Sequence, residues 1–365
     1  MIISLIIISA PVLIIYVFMQ QAKFGRTPGK NRLAKIHKSP HYKNKAFQNL
    51  NLTPSLTEGA TYGGILKEVV FGDKKQVKPT QPIPSQKTNL LTLDPKEDIL
   101  VWFGHSSYFI QIDGKRILVD PVLSGSASPV WFTTKAFPGS DVYTAEDIPE
   151  IDYLFISHDH WDHLDHKTIS KLKPKIKQVI CSLGTGEHLE RWGFDKTIIR
   201  EEDWNSTIHL NEGFITHTVP ARHFSGRGFK RNQALWTAFV LQTPSMNLFI
   251  GGDSGYDTHF SEIGKSFGPF DLVILENGQY NINWKYIHMQ PEEVLMAAKD
   301  LMAKKLLPVH SGKFALANHA WNEPLKRITD LNKDSSLKLI TPMIGQKVHL
   351  KDESQTFNKW WESIN

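Results

Sequence analysis

Cysteine is almost absent from the chain: one residue of 365, Cys181. An intramolecular disulfide is therefore excluded, and cysteine usage favours neither an oxidising nor a reducing compartment. Cys181 lies in the strand-like run Val179-Ile-Cys-Ser182, where core packing rather than a reactive thiol is the expected role. A strong charge of one sign is missing as well. The formal net charge of +5 suits an anionic substrate or surface and gives no reason to expect nucleic acid. No short repeat appears. An apolar content of 41% over 365 residues is that of a globular protein, enough for one large two-sheet domain or two ordinary ones.

The N-terminus also lacks something. Met1 to Met19 is apolar but for Ser4, Ser9 and Pro11, yet no Lys or Arg precedes the run and no small-x-small site follows it, which speaks against a secretory signal peptide. At about 1.5 Å per residue the run can just cross a hydrocarbon core of about 30 Å, so residues 1–19 are expected to form a single membrane-spanning anchor. Lys23, Arg26, Lys30, Arg32, Lys35, Lys38, Lys43 and Lys45 follow with no acid among them. By the positive-inside tendency the bulk of the chain then faces the cytoplasm. The same cations could lie against anionic headgroups or simply form a solvated tether. Residues 20–90, broken by Pro79, Pro82 and Pro84, read as a basic tether and linker wrapping a domain at 91–365.

Regular structure is expected from Ile99. Ile99 to Phe103, Tyr108 to Ile112 and Arg116 to Asp120 are strand-like, the last two joined by the hairpin signal Asp113-Gly114. Another apolar run, Ile151 to Ile156, leads into Ser157-His-Asp-His-Trp-Asp-His-Leu-Asp-His166. In an extended segment side chains two apart point the same way, so His158 and His160 can converge on one point while Asp162 and His163 serve another after the turn. That pattern suits two metal ions; imidazole and carboxylate donors fit zinc best, with iron or manganese as substitutes. A histidine-rich surface loop is the alternative, and such loops rarely follow a buried strand.

Downstream, Val179 to Ser182 and a short helix at Glu187 to Trp192 show a strand-helix rhythm, and Phe214 to Val219, Leu235 to Gln242 and Leu248 to Ile250 supply further strands. His223, Asp253 and His310 each follow a strand-like run, where loops carry chemistry on a rigid scaffold. Asp120, before Pro121, is expected either to orient a ligand imidazole or to cap its strand. His105 either faces the same place or is a structural histidine.

His-x-His-x-Asp-His at 158–163 resembles the signature of the metallo-β-lactamase superfamily. The resemblance implies an α/β, four-layer αββα sandwich with a metal site at one edge of its two sheets. Matched residue by residue, it implies that His158, His160 and His223 hold one Zn2+ ion and Asp162, His163 and His310 the other, with Asp253 bridging them. Two ions about 3.5 to 4 Å apart lower the pKa of a water from 15.7 to about 7, which makes hydroxide available at neutral pH and suits ester or phosphodiester hydrolysis.

Several phrases narrow the resemblance, among them Ile263 to Asp271 and Phe314 to Asn318, which carry no metal ligand. Asp120-Pro-Val-Leu-Ser-Gly-Ser-Ala-Ser-Pro129, Glu262-Ile-Gly-Lys-Ser-Phe-Gly-Pro-Phe-Asp271, His288-Met-Gln-Pro-Glu-Glu293 and His310-Ser-Gly-Lys-Phe-Ala-Leu-Ala-Asn318 are similar to the N-acyl-phosphatidylethanolamine-hydrolysing phospholipase D family. This implies zinc-dependent hydrolysis of N-acylated phosphatidylethanolamine to phosphatidic acid and an N-acylethanolamine. Asp162, Asp253 and His288 are the catalytic residues it implies, His288 touching the leaving group or phosphate or else playing a structural part. The expected partners are a membrane phospholipid and the membrane itself, with a homodimer as a further option. Glu276 departs from the family's apolar run and needs a cation or another direction to point. Arg222, Arg227, Lys230 and Arg231 are candidate phosphate receptors. Pro129-Val-Trp-Phe132 is expected to pack in the core, with acyl-channel lining or membrane insertion as the other options. Lactone hydrolysis and non-catalytic lipid binding are the competing functions.

Overall fold

In a computed structural model the described residues are 2–72 and 75–364, with the side chains of residues 1–10, 69 and 70 outside the described set. The helices are α1 (Ile2–Met19), α2 (Lys30–Ile36), α3 (Tyr62–Phe71), α4 (His166–Leu172), α5 (Gly186–Arg191), α6 (His259–Phe267), α7 (Pro291–Asp300) and α8 (Glu323–Leu331). A hairpin of β1 (Tyr42–Lys43) and β2 (Ala46–Phe47) precedes two larger sheets. The strands that follow are β3 (Ile99–Trp102), β4 (Tyr108–Ile112), β5 (Lys115–Val119), β6 (Ile151–Ile156), β7 (Ile176–Ser182), β8 (Ile199–Glu202) and β9 (Thr207–His209). The rest are β10 (Ile215–Val219), β11 (Ala238–Gln242), β12 (Asn247–Ile250), β13 (Leu272–Glu276), β14 (Lys305–Val309), β15 (Lys338–Leu339) and β16 (Lys347–His349).

One seven-stranded sheet runs β16-β3-β4-β5-β6-β7-β8 and the other β9-β10-β11-β12-β13-β14-β15. In each, antiparallel pairings give way to parallel ones at the same step, between the fourth and fifth strands in these orders. The two halves are thus built alike although no short sequence repeat marks them. Period-two alternation sorts the side chains. Ile117 and Val119 of β5 join Phe155, Phe239, Ile250, Ile274 and Leu307 in a core between the sheets, while Leu118 faces outward with Leu154 and Val179 onto Ile169 and Leu189. On the far side Val240, Phe249 and Val273 pack against Ile263, Val294, Ala297 and Ile328 of the helices. The layers are therefore helix, sheet, sheet, helix, as the resemblance implied. Cys181 is buried in the outer core of the first sheet.

The N-terminal expectation is met only in part. Residues 2–19 form a helix, but among the described residues no helix is long and apolar enough to cross a membrane. The side chains of residues 1–10, which make up the first half of the expected anchor, lie outside the described residues, so a membrane-spanning helix is not supported. The described part of α1 is nevertheless apolar and exposed from Val12 to Val17. Beyond it the chain straps the domain. Lys23 Nζ donates to Pro129 O at 2.6 Å, and Phe24 meets Trp161 edge to face with centroids 5.2 Å apart. Gly25 has a left-handed φ of 69°, and a Cβ there would collide with the His188 ring. The expected core placement of Pro129 to Phe132 is corrected: Trp131 and Phe132 stand in solvent, 69% and 63% exposed.

Arg32 of α2 ties this strap down. Its guanidinium meets Glu187 at 2.5 Å, Glu190 at 2.8 Å and Glu201 at 2.7 Å, with 12% of the side chain exposed. Three carboxylates around one planar donor fork satisfy most of its N–H groups. Arg32→Ala leaves buried carboxylates without their counter-charge and is expected to destabilise the protein by about 3 kcal/mol; urea unfolding measures the loss.

Candidate metal centre

Topology brings the donors together. β3, β5 and β6 run in one direction, as do β10, β12, β13 and β14, so the residues after their C-terminal ends collect at one sheet edge. His105 follows β3, Asp120 follows β5, and His158 to His163 follow β6. His223 follows β10, Asp253 follows β12, Glu276 ends β13 and His310 follows β14. Tight turns at these ends put three non-glycine residues in the left-handed region: His105 at φ 53°, Asp120 at 40° and His310 at 66°. Such strain persists where the surroundings over-determine it.

Three overlapping donor groups result, the third being Asp253, Glu276, His288 and His310. His158, His160, His223 and Asp253 place one ligand atom each within 4.8 Å of the others. His160 Nδ1 is 2.9 Å from His158 Nε2 and 3.2 Å from His223 Nε2, and Asp253 Oδ2 is 3.8 Å and 3.7 Å from those two Nε2 atoms. Around an ion with bonds of about 2.0 to 2.2 Å, ligand atoms stand about 3 to 3.5 Å apart. The second group holds Asp162, His163 and His310, and His105 with them. His163 Nε2 lies 3.6 Å from Asp162 Oδ2 and 3.2 Å from Asp253 Oδ2, and His310 Nδ1 lies 3.3 Å from Asp253 Oδ1. All seven residues expected as ligands thus converge, with Asp253 between the groups.

The fit to cations is decided by free lone pairs. His223 donates from Nδ1 to Ile287 O at 2.9 Å, and His163 donates from Nδ1 to Asp120 Oδ2 at 2.8 Å. In each the second ring nitrogen is left facing the cluster. His163 Nε2 and Asp253 Oδ1 are buried and have no hydrogen-bond partner. Buried atoms of this kind are costly unless something unseen among the protein atoms satisfies them. Burial, with the neighbouring imidazoles, holds His158 and His223 well below the usual histidine range, and burial does the same for His310 against the pull of Asp253. Neutral rings are the ligating form. Burial tends to raise the Asp253 carboxyl, but His163 and His310 hold it well below the usual range. His163 goes the other way: burial opposes its proton, and Asp253, Asp162 and Asp120 outweigh burial and raise it well above the usual value. The residues fit a pair of divalent ions, one of which would displace that proton.

Asp120 buttresses the centre through Oδ1, which accepts from Ser157 N at 2.8 Å, and Oδ2, which accepts from His163. His105, left open by sequence reasoning, is fully buried; its Nε2 donates to Asp162 Oδ2 at 2.9 Å and its ring lies 4.1 Å from that of His310. The signal for it was its place after a strand. Glu276 finds the cation it needed. Its Oε2 is 2.6 Å from His288 Nδ1, and its Oε1 accepts from Met289 N and Ser254 N. Burial pushes Glu276 up to about 7, and Glu276 outweighs burial to raise His288 to about 9, so the pair keeps a shared proton through neutrality. The His288 ring sits 5.0 Å from His223 and 5.3 Å from His310.

His160, Asp162, His223, Asp253, His288 and His310 floor a cavity of about 330 Å³ whose walls include Leu56, Tyr62, Ile65, Phe224, Trp284, Ile287 and Leu316. Of the four candidate phosphate receptors, Arg231 alone lines it. Arg222 is engaged by Leu52 O, Thr53 and Tyr256 O, and Lys230 borders a different cavity. Arg227 is buried: Nη1 donates to Asp159 O at 2.8 Å and Leu164 O at 2.7 Å, Nη2 to Lys23 O, and its fork lies 3.9 Å from the Trp161 ring. It clamps the loop that bears four donors rather than receiving a substrate.

Asp120→Asn keeps the shape but weakens the acceptor for His163, and metal affinity is expected to fall by roughly 10- to 100-fold in chelator competition. Because His163 holds its proton above its ordinary pKa until an ion arrives, uptake should release protons and apparent affinity should fall as pH falls. Calorimetric titration in two buffers of different ionisation enthalpy reads this directly.

A family model described as the β-lactamase superfamily domain matches residues 115–311. The chain is 36% identical over 329 residues to an uncharacterised protein of Mycobacterium tuberculosis, covering 88% of this chain and 87% of that one. It is 28% identical over 333 residues to N-acyl-phosphatidylethanolamine-hydrolyzing phospholipase D 1 of Caenorhabditis elegans, covering 83% and 89%. In fold it is similar to the metallo hydrolase Igni18 of Ignicoccus hospitalis, with a TM-score of 0.53 at 21% identity over 69% of this chain and 98% of that one. With two like-built sheets and donors gathered at one edge, the chain belongs to the metallo-β-lactamase superfamily of metal-dependent hydrolases.

Proposed function

We propose that the protein is a dinuclear zinc phosphodiesterase of phospholipase D type that hydrolyses N-acyl-phosphatidylethanolamine to phosphatidic acid and an N-acylethanolamine. The observation that carries this reading is one cavity with two donor groups at its floor and apolar side chains in its walls. The similarity to a worm protein of that name supports the same substrate class. Exposed apolar side chains at Val12 to Val17, Trp131, Phe132 and Phe229 favour a protein that works against lipid, held there through α1 with its catalytic domain on the cytoplasmic side.

His158, His160 and His223 would hold one ion and Asp162, His163 and His310 the other, with Asp253 shared. Neutral nitrogen donors and few carboxylates favour zinc over iron or manganese. Bound there, a pair of divalent ions supplies ionised water at neutral pH and neutralises charge growing on phosphate oxygens. The chain's own residues do the rest. In the net reaction an oxygen of water joins phosphorus, the bond from phosphorus to the ethanolamide oxygen breaks, and that oxygen needs a proton as it leaves. His288 carries one, held on the ring by Glu276 at 2.6 Å, and stands beside His223 and His310 where the leaving oxygen would emerge. Arg231 at the mouth offers positive charge to the phosphate. The walls exclude water from the acyl-bearing side.

Lipid analysis after incubating zinc-loaded protein with mixed phospholipids names the scissile bond; release of N-acylethanolamine and phosphatidic acid is expected, and lactone turnover without it would defeat the reading. His160→Ala and Asp253→Asn should lose metal and turnover together, by elemental analysis and product assay. His288→Ala should retain its metal while kcat falls by roughly 100- to 1,000-fold.

A further inference from the structure

Another cavity borders the metal loop and has no part in the chemistry described so far. It measures about 160 Å³ and is bounded by Lys23 of the strap, by Ser124 in the segment after β5, and by Asp165, His166 and Lys167 where the metal loop enters α4. His160 and Asp162 line the metal cavity, whereas Trp161, between them in the chain, lines this one, and the two linings share no residue. Segment 120–129, one of the phrases that narrowed the resemblance, supplies Asp120 to the metal centre and then turns its serines to this second place.

The lining is rich in donors and poor in acceptors. Ser124 Oγ, Lys167 Nζ and the ring nitrogens of His166 have no hydrogen-bond partner among the described residues. Lys23 gives one ammonium proton to Pro129 O at 2.6 Å and keeps two. The one carboxylate present, Asp165, is already engaged: Oδ1 accepts from Lys167 N at 3.1 Å and Oδ2 from the Thr168 hydroxyl. Neither lysine has an ion-pair partner among the described residues. Burial and the charge of Lys167 hold the Lys23 ammonium below its ordinary range, so the two cations repel each other with no counter-charge between them.

The missing occupant is therefore an anion with more acceptor oxygens than a carboxylate brings. A phosphate monoester carries about −1.5 to −2 charges at neutral pH and three free oxygens, and lysine is an ordinary partner for it. The space exceeds by about tenfold what one water needs. Trp131 and Trp161 flank it and give the carbon part of such a molecule apolar surface to lie on. We propose that this cavity is a binding site for a small phosphate monoester, held by Lys23, Lys167, His166 and Ser124 and separate from the metal centre. The proposal does not rest on the phosphodiesterase reading, because it uses none of the metal donors.

Glycerol 3-phosphate is the probe. Zinc-loaded protein is titrated with it calorimetrically at low ionic strength, with glycerol as the uncharged control; saturable binding of the monoester and none of glycerol is expected, and failure of the monoester to bind overturns the proposal. Phosphate oxygens also coordinate zinc, so variants assign the site. Lys167→Glu should weaken binding by about ten-fold or more with zinc content unchanged, Ser124→Ala by less, and Lys167→Arg should retain it. An isotherm unchanged in Lys167→Glu would put the monoester on zinc and overturns the proposal. So does an equal loss in Lys326→Glu, at an exposed position on α8 outside this cavity, which would mean attraction by net charge alone. Vesicles of phosphatidic acid in phosphatidylcholine, added as competitor, tell the sources apart. Displacement of glycerol 3-phosphate shows that the cavity also takes a lipid headgroup, no displacement that it takes a free monoester alone, and either result supports the phosphate site.

Discussion

Four carboxylates, Asp120, Asp162, Asp253 and Glu276, are buried at one sheet edge, and this is the constraint that the rest of the molecule answers. An unpaired carboxylate in such a place is prohibitively costly, so each must meet a cation, a proton or several N–H donors. Asp120 meets Ser157 N and His163; Glu276 meets His288 and two backbone donors. Among the described residues Asp162 has His105 as its one full hydrogen-bond partner, and Asp253 keeps an oxygen with none. The two least satisfied carboxylates are the two flanked by converging imidazole nitrogens. The charge deficit and the donor geometry therefore point to one place and one kind of occupant, a divalent cation.

Holding so many repelling and desolvated groups at fixed distances demands a stiff frame. The strands provide it on one side. On the other, the loop 157–166 has little regular structure of its own, and its shape is imposed from behind. Arg227 gathers the carbonyls of Asp159, Leu164 and Lys23 onto one guanidinium, and Asp159 turns its carboxylate away from the centre toward Gly226 N and His188. His188 in turn accepts from Arg26 N. Residues before the first large-sheet strand thus reach the back of the metal loop through a chain of directed contacts, and Arg32 fixes that segment to the first helical layer.

The parts of this arrangement legible in the sequence are those carried by short-range pattern. Four donors in six residues after an apolar run can be read at sight, and His223, Asp253 and His310 follow from their places after strand-like runs. Strands β8, β9, β15 and β16 were not legible, because runs such as Ile-Arg-Glu-Glu and Lys-Val-His are short and polar and owe their extension to neighbours in the sheet. Helix α7 was not read either, although its start, Gln290-Pro-Glu-Glu293, has a capping box and Pro291 in the first turn. Arg227 sits in a glycine-flanked loop and reads as a candidate phosphate receptor until the carbonyls it serves are seen. Glu276 and His288 are twelve residues apart with no periodicity linking them, so their pairing belongs to tertiary structure alone. Trp131 and Phe132 went the opposite way, apolar in sequence and exposed in the fold.

Those exposed aromatics and the unburied described part of α1 stand near the basic N-terminal segment, whose Lys23 reaches Pro129. Apolar side chains are left outside a domain at a cost that water exacts continuously, and a chain that packs Cys181, Trp102 and Phe155 out of contact with solvent has the means to bury them. Part of the exposed set lies on elements near the metal edge, while Met296 on α7 and Leu331 on α8 are exposed as well. Lys23 reaches the Pro129 turn, Met19 borders Gly228 beside Phe229, and Tyr62 lines the cavity itself. A reaction on a soluble substrate would need none of this surface. Under the proposed function the substrate stays in a lipid layer and the mouth must be held against it, which apolar groups beside the mouth would do.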